Sequence, residues 1–466
     1  MRPLGAFSSC IPNKPLVGLR MSARGKVRSF FVHQMGVCGA HFVRIGLGRV
    51  VQRLIVPLRV GILDIDLLDH GTRHPNLALM KISAFLKEEG HDVSLIQEAR
   101  EVQRVEDCPY EKVVASKVFN FSATPPLVES IGVPGDERDV ECYARVNNMT
   151  RVVYGGTGFT YEGQAYPPNL PAVIEHHKPD YSLYNEYVNS QILQGKKRAT
   201  FKDYLDYSIG FTTRGCFRKC RFCVNQHYDE VRQHSPVSEF LDDKRPYIYL
   251  WDDNFLGLGI RTRARDERLH RVQPWEQILD QLDATRKPFQ FRQGLDMRLM
   301  TPYIAERLSH AHYHGDYIFA FDHIQDAEII SRNIGIWQEY NHKVAKFYVL
   351  CGFDGIDEVD VANTLERIRI LMEHGAIPYI MRHENYKRSR YRGLYVQLAR
   401  WCNQPQFFKK KSFREYCEAC QEYHVEHSAQ RRHEICAALN ELRLFAVDHP
   451  EIARQYFDIR FDRQGL

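Results

Sequence analysis

The stretch YSIGFTTRGCFRKCRFC, residues 207–223, places three of the chain's 12 cysteines within eight residues, at Cys216, Cys220 and Cys223. Its first half, Tyr207–Thr213, is short, apolar and rich in β-forming residues, and reads as a buried strand. Its second half is a loop offering three soft ligands, Cys216-x3-Cys220-x2-Cys223. Structural zinc normally closes with four N/S ligands, often as two distant CxxC pairs, and a four-iron cluster normally takes four thiolates. Three thiolates on a four-iron cluster leave one iron open, and an open metal position is where chemistry takes place. The neighbours favour that reading over zinc. Gly215 lets the backbone turn close to a bulky group. Phe222 offers a flat face for a purine or for shielding. Arg214, Arg218, Lys219 and Arg221 offset the negative charge of a thiolate-bound cluster.

Five more strand candidates lie beyond the first: 246–253, 289–296, 317–322, 346–354 and 377–382. Helical stretches separate them, among them PWEQILDQLDATR, TPYIAERLSHAHYH and DEVDVANTLERIRILMEHG, the last closed by Gly375. Six β/α units in series predict a partial barrel of the TIM type over 200–385. The active face of such a barrel is the carboxyl end of its strands, where the cysteine loop falls. Upstream, LRVGILDIDLL from Leu58 reads as a buried strand, DHGTRHPN as a loop, and LALMKISAFLKEEGH as a helix stopping at Gly90. DVSLI, 111–119 and 151–158 continue the alternation, which predicts a doubly wound, Rossmann-like α/β domain over 58–185. Its ligand rim holds His70, Arg73, His74, Ser116 and Gly155–Gly158. The GGTG of that rim is read equally as a tight turn or as a ligand-facing loop.

A CxxxCxxC loop with an aromatic before its last cysteine, placed directly after a strand and opening a (β/α)6 series, resembles the radical S-adenosylmethionine enzymes. The resemblance spans about 58–420. It implies a 4Fe–4S cluster on Cys216, Cys220 and Cys223, with S-adenosylmethionine chelating the fourth iron and being cleaved reductively to methionine and a 5′-deoxyadenosyl radical that abstracts hydrogen from a substrate. It implies an electron donor such as flavodoxin or ferredoxin. WDDNFLG (251–257) resembles the family's segment after the second strand, which makes Asp252, Asp253 and Asn254 candidates for the methionine amino group. The usual glycine-rich motif with a glutamate is absent there. RQGLDMRLM resembles the third-strand segment and puts Gln293, Asp296 and Arg298 towards cofactor or substrate. Asp322 ends the fourth strand and Gly352 the fifth. Taken one at a time, each of these residues also reads as a solvated loop residue or a rim ion pair.

The N-terminal domain resembles the cobalamin-binding-like domain that precedes some radical enzymes, which makes cobalamin a candidate cofactor. The DxHxxG signature for a lower cobalt ligand is missing, because Asp66, Asp69 and His70 stand at the wrong spacing. A substrate-recognition or vestigial role competes with cobalt binding, and methyl transfer finds no methylating cysteine.

Residues 386–466 are read as a helical extension. Met381–Arg414 carries ten Lys/Arg against Glu384, interleaved with aromatics such as Tyr386, Tyr395, Trp401 and Phe408. Nucleic-acid binding uses that mixture; a basic face over an aromatic core is the preferred reading. Cys417-x2-Cys420, with Cys402, Cys436, His424 and His427 nearby, matches no trusted metal spacing and is taken as helix packing. Cys10, Cys38, Cys108, Cys142 and Cys351 are read the same way.

Composition excludes other classes. The chain has 466 residues, 44% hydrophobic and 26% charged, a globular profile, and its cysteines are too sparse for a disulfide scaffold. No apolar run reaches the ~20 residues of a membrane span. The net charge of +5 belongs to residues 1–56, which hold nine Lys/Arg and no acid, leaving 54 basic against 58 acidic residues beyond. The segment 1–57 is expected to be non-structural; organelle targeting or translation from an early start are its other readings. The expected location is the cytoplasm. A non-catalytic iron–sulfur or zinc protein, structural or electron-transferring, is the alternative function.

Overall fold

The structure, a computed structural model, describes residues 57–102, 108–125, 151–159, 170–260, 274–422 and 429–461, with the side chains of 151, 154, 420–422 and 429–437 left aside. The basic N-terminal segment up to residue 56, Cys10, Cys38, Cys142, His424, His427 and the side chains of Cys420 and Cys436 therefore lie outside the described residues. Residues 57–466 form one compact unit.

Strand β1 (Arg59–Asp64) is buried at five of its six positions, as expected of a parallel strand covered on both faces. It pairs in parallel with β2 (Asp92–Leu95) on one side and β3 (Lys112–Ser116) on the other, and β3 pairs with β4 (Arg151–Gly155), giving the order β2-β1-β3-β4. The reversal of order beside β1 is the switch point where such sheets leave a crevice. The apolar run LRVGILDIDLL is not one strand. It stops at Asp64, whose carboxylate accepts the Leu67 N–H and caps helix α1 (Ile65–His70). An apolar pattern that continues through a cap hides the change of period. Helix α2 (Leu77–Glu88) starts on the Asn76 side-chain cap, and Gly90 comes after it at φ 90°.

The second half is a series of six parallel strands in chain order. Strands β5 (Tyr207–Gly210), β8 (Tyr247–Leu250) and β9 (Phe289–Phe291) form one sheet. Strands β10 (Ile318–Ala320), β11 (Lys346–Cys351) and β12 (Ile377–Arg382) form the next. Leu295 joins them, donating to the Ile318 carbonyl at 2.8 Å and accepting from Ala320 N–H at 3.2 Å. Between β5 and β8 the chain makes a small antiparallel ribbon, β6 (Thr213–Arg214) with β7 (Arg232–Gln233), and the cysteine loop is the tip of that ribbon. The ribbon is why the first strand ends at Gly210, before the 207–213 of the sequence pattern.

Outside the strands pack α3 (Pro274–Ala284), α4 (Pro302–Ser309), α5 (Ala327–Tyr340) and α6 (Glu358–Glu373). Thr301 and Asp357 cap α4 and α6 with their side chains, and Gly375 at φ 62° ends the turn after α6. The outward residues of the strands, such as Leu250, Phe291, Phe319, Val349 and Ile380, share one core with these helices. The inward residues Ile209 and Tyr249 instead pack on Leu77, so the start of α2 covers the inner face of the first two strands. Helices α7 (Arg392–Cys402), α8 (Phe413–Glu422), α9 (Ala429–Asp448) and α10 (Pro450–Tyr456) complete the chain. Tyr395, Trp401, Phe408 and Phe413 are fully buried among them, which removes these rings as stacking platforms for bases. Cys351 and Cys402 are buried, and burial pushes the Cys351 thiol up to about 12. Among the described residues no helix is long and apolar enough to cross a membrane.

Candidate active site

The cysteine loop is held by residues that leave the carboxyl ends of β8 and β9. Gly215, at φ 96°, turns the chain into the loop; a Cβ there would stand 2.4 Å from the Glu230 carbonyl oxygen across the ribbon. Lys219 takes φ 55°, a left-handed conformation uncommon for a non-glycine residue, directly before Cys220. Asp253 accepts Gly215 N–H at 2.7 Å and Asn225 Nδ2 at 2.8 Å, and so braces the loop on both flanks of the cysteines. Asp252 accepts Thr212 Oγ1 and Thr213 N–H, both at 2.6 Å, and braces the approach to the ribbon. Burial pushes Asp252 up to about 7 against the pull of those donors.

Two of the three sulfurs already accept N–H groups. Cys216 Sγ receives Arg218 N–H and Asn254 Nδ2, each at 3.4 Å, and Cys223 Sγ receives Asn225 N–H at 3.4 Å. Hydrogen bonds to ligand sulfurs are a standard means of tuning iron–sulfur sites. Burial pushes the Cys220 thiol up to about 11 and raises Cys223; each thiol is further raised by other cysteines of the loop. Asn254 is 4% exposed, and its Oδ1 has no hydrogen-bond partner among the described residues.

Asp296 links the elements. Arg218 Nε reaches one of its oxygens at 2.7 Å, Arg298 Nε reaches the other at 2.7 Å, and Arg298 continues to Asp326 at 2.8 Å. Burial alone would raise Asp296, but the two guanidiniums hold it below the usual carboxylate range. Asp322 is raised by burial against the nearby Arg367 charge, and it accepts Leu350 N–H at 3.0 Å. Phe222 sits with its ring 5.7 Å from His323 and 5.6 Å from Phe353, so it bridges the loops after β10 and β11. A cleft of about 350 Å³ opens there, lined by Arg218, Cys220, Arg221, Arg298, His323 and Asp326 among others. Gly352, at φ 70°, gives its N–H to Asp360 at 2.8 Å and packs on Tyr386. Gln293 is exposed and makes no side-chain hydrogen bond among the described residues.

The structure thus brings Cys216, Cys220, Cys223, Asp253, Asn254, Asp296 and Arg298 together. The basic residues of the loop are not simple counter-charges: Lys219 pairs with Asp229 at 2.7 Å and Arg221 with Asp354 at 3.7 Å. Asn225, two residues past Cys223, was missed in the sequence because nothing marks an asparagine as a brace until its partner is known. Among the described residues no three His, Cys, Asp or Glu side chains converge on one ion position.

The rim of the N-terminal sheet is different. Asp64 accepts Tyr184 O–H at 2.7 Å, Asn76 Nδ2 donates to Ser116 Oγ at 3.1 Å, and Asp66 accepts Val118 N–H at 2.6 Å; all five side chains that take part are buried. His70 spends both ring nitrogens, on Gly71 O at 3.1 Å and Ser122 Oγ at 3.0 Å. A Cβ on Gly156 would lie 2.2 Å from the Lys117 carbonyl oxygen and one on Gly158 2.7 Å from that of Phe119. Gly156 and Gly158 serve close packing of the chain on itself, whereas a Cβ on Gly155 would meet nothing within 4 Å. Among the described residues of this rim, Asp64, Asp66, Asn76 and Ser116 are spent on the chain's own hydrogen bonds, and His70 has no uncommitted ring nitrogen for cobalt.

No family model matches the chain, and no curated protein matches it. Two of the solved structures it resembles are of TsrM from Kitasatospora setae, a radical S-adenosylmethionine methyltransferase. One, with cobalamin and a [4Fe-4S] cluster bound, has a TM-score of 0.38 at 12% identity and covers 70% of this chain and 75% of that one. The other, with tryptophan and the analogue aza-SAM, has a TM-score of 0.41 at 12% identity and covers 69% and 72%.

Proposed function

We propose that the chain is a radical S-adenosylmethionine enzyme. The observation that supports this most is the placing of Cys216, Cys220 and Cys223 on one braced loop at the carboxyl end of the first of six parallel strands, with N–H groups already directed at two of the sulfurs. A 4Fe–4S cluster on those cysteines would supply one-electron cleavage of bound S-adenosylmethionine. The protein's own part is positioning. Asp253 and Asn225 fix the loop, and Arg218 and Arg298 lock Asp296 beneath it. Asn254 Oδ1 is a free buried acceptor for an ammonium group, whereas Asp252 and Asp253 are engaged with the chain's own donors. Phe222 shields the side facing His323 and Phe353. No step is assigned to cobalamin. A one-electron donor such as flavodoxin or ferredoxin completes the system, and a reducing compartment such as the cytoplasm suits unpaired thiols.

The test is anaerobic reconstitution with iron and sulfide. A four-iron, four-sulfide complement should form, and the electron paramagnetic resonance of the reduced cluster should change when S-adenosylmethionine is added. Zinc binding in place of a cluster, or a cluster whose signal ignores the cofactor, would favour a structural or electron-transfer protein.

A further inference from the structure

We propose that Arg292 is an anion-binding residue inside the barrel, held in place by His74 of the N-terminal domain, and that it takes the carboxylate or phosphate of an organic substrate. This deepens the enzyme reading by naming the class of molecule the barrel holds. Arg292 continues the β9 ladder by donating its N–H to Leu250 O at 2.7 Å. Phe289 and Phe291 join the core shared with the outer helices, so Gln290 and Arg292 alternate to the inner face. There Arg292 lies over the Tyr249 ring at 5.4 Å, and Tyr348 O–H reaches its carbonyl at 3.5 Å.

The guanidinium is held in an unusual way. Arg218 and Arg298 each meet a carboxylate oxygen at 2.7 Å. Arg292 instead meets His74 Nε2 at 2.7 Å, and its nearest carboxylate oxygen, on Asp203, is 3.9 Å away. A guanidinium only donates, so His74 Nε2 is the acceptor of this contact, and the other ring nitrogen, Nδ1, lies beside Asp203. His74 thus takes one N–H of the guanidinium, while Asp203 stands off it at 3.9 Å as a loose ion pair. His74 is carried on the 71–76 loop of the N-terminal domain, pinned to the barrel by Tyr204, whose hydroxyl reaches Thr72 Oγ1 at 2.6 Å and the His74 carbonyl at 3.1 Å. Arg292 keeps 32% of its side chain exposed. Trp251, edge-on to His74 at 5.9 Å, has its indole N–H buried without a partner among the described residues. A charged fork, an unspent donor and aromatic walls in one place make a site for an anion with a flat or apolar body.

Calorimetric titration of the full chain with phenylacetate, phenyl phosphate and the uncharged phenylacetamide tests this. At least one anion should bind about tenfold or more tighter than phenylacetamide, and the better anion separates carboxylate from phosphate. R292Q should erase the preference, R292K should keep part of it, and the Cys216/Cys220/Cys223 triple alanine variant should bind the anion as the wild type does. That last arm separates this site from the cluster: anion binding by a chain that makes no 5′-deoxyadenosine would fault the radical chemistry alone. Equal affinity for the anions and phenylacetamide in the wild type overturns the proposal. So does an unchanged preference in R292Q with a lower melting temperature, which would make Arg292 only a clamp between domains. Should R292Q fail to fold, R292K decides: a preference undiminished from the wild type in a folded R292K counts against the site, and a reduced or absent one supports it.

Discussion

Among single residues, the side chains that matter are buried polar groups whose partners lie far away in sequence. Asp64 is held up at about 7 by burial, partly offset by the Tyr184 hydroxyl. Its folded pKa lies above the unfolded value of 3.8, so the folded state binds the extra proton and stability falls as pH rises between those two values. The loss is on the order of 4 kcal/mol at most. D64N should flatten that slope, read as a smaller difference between urea midpoints at pH 4.5 and pH 8; an unchanged difference would show that Asp64 ionises freely. Asn254 gives a second test. N254A removes one of two N–H donors to Cys216 Sγ, and the reconstituted site should reduce at a more negative potential, because a donor to sulfur stabilises the added electron. An unaltered potential would mean that the contact does not survive cluster binding. The three cysteines were legible in the sequence because their chemistry is local. His74 with Arg292 was not, because the pair spans 218 positions and exists only once two domains have docked.

Among the elements, the strands and helices obeyed the apolar periodicity, and the departures have local causes. The first barrel strand ends early because Thr213 pairs with Gln233 in the ribbon. Helix α1 was hidden because Asp64 serves as last strand residue and as cap. The ribbon is the element on which the site depends. G215A would force a Cβ to 2.4 Å from the Glu230 carbonyl oxygen at a φ of 96°, so one flank of the ribbon must shift. The expected cost is about 1–3 kcal/mol, and it should appear as iron content per chain falling well below the wild-type value. Full iron loading in G215A would show that the loop tolerates a different path.

In the assembled chain, the N-terminal domain and barrel read from the sequence as separate units pack as one body over 57–466. The sequence pattern locates each domain but not the docking, since the contacts are single side chains. Arg245 is the clearest: 6% exposed, it donates to the carbonyls of Tyr204, Tyr207 and Tyr181 and lies 4.2 Å from the Tyr181 ring centre. R245A leaves three carbonyls bare at the junction and should cost about 3–5 kcal/mol. Thermal unfolding should shift down or split into two transitions. An unmoved single transition would show that the domains are held elsewhere. Leu77 packs on the inner residues Ile209 and Tyr249, and His74 meets Arg292, so this docking also covers part of the inner face of the strands.

The measurement that decides the matter is product analysis under reducing, oxygen-free conditions. The reconstituted full chain is mixed with dithionite and S-adenosylmethionine, and 5′-deoxyadenosine is quantified beside the Cys216/Cys220/Cys223 triple alanine variant. Formation of 5′-deoxyadenosine and methionine by the wild type alone is the predicted result. A wild type that carries four irons and makes no more 5′-deoxyadenosine than the variant would contradict it.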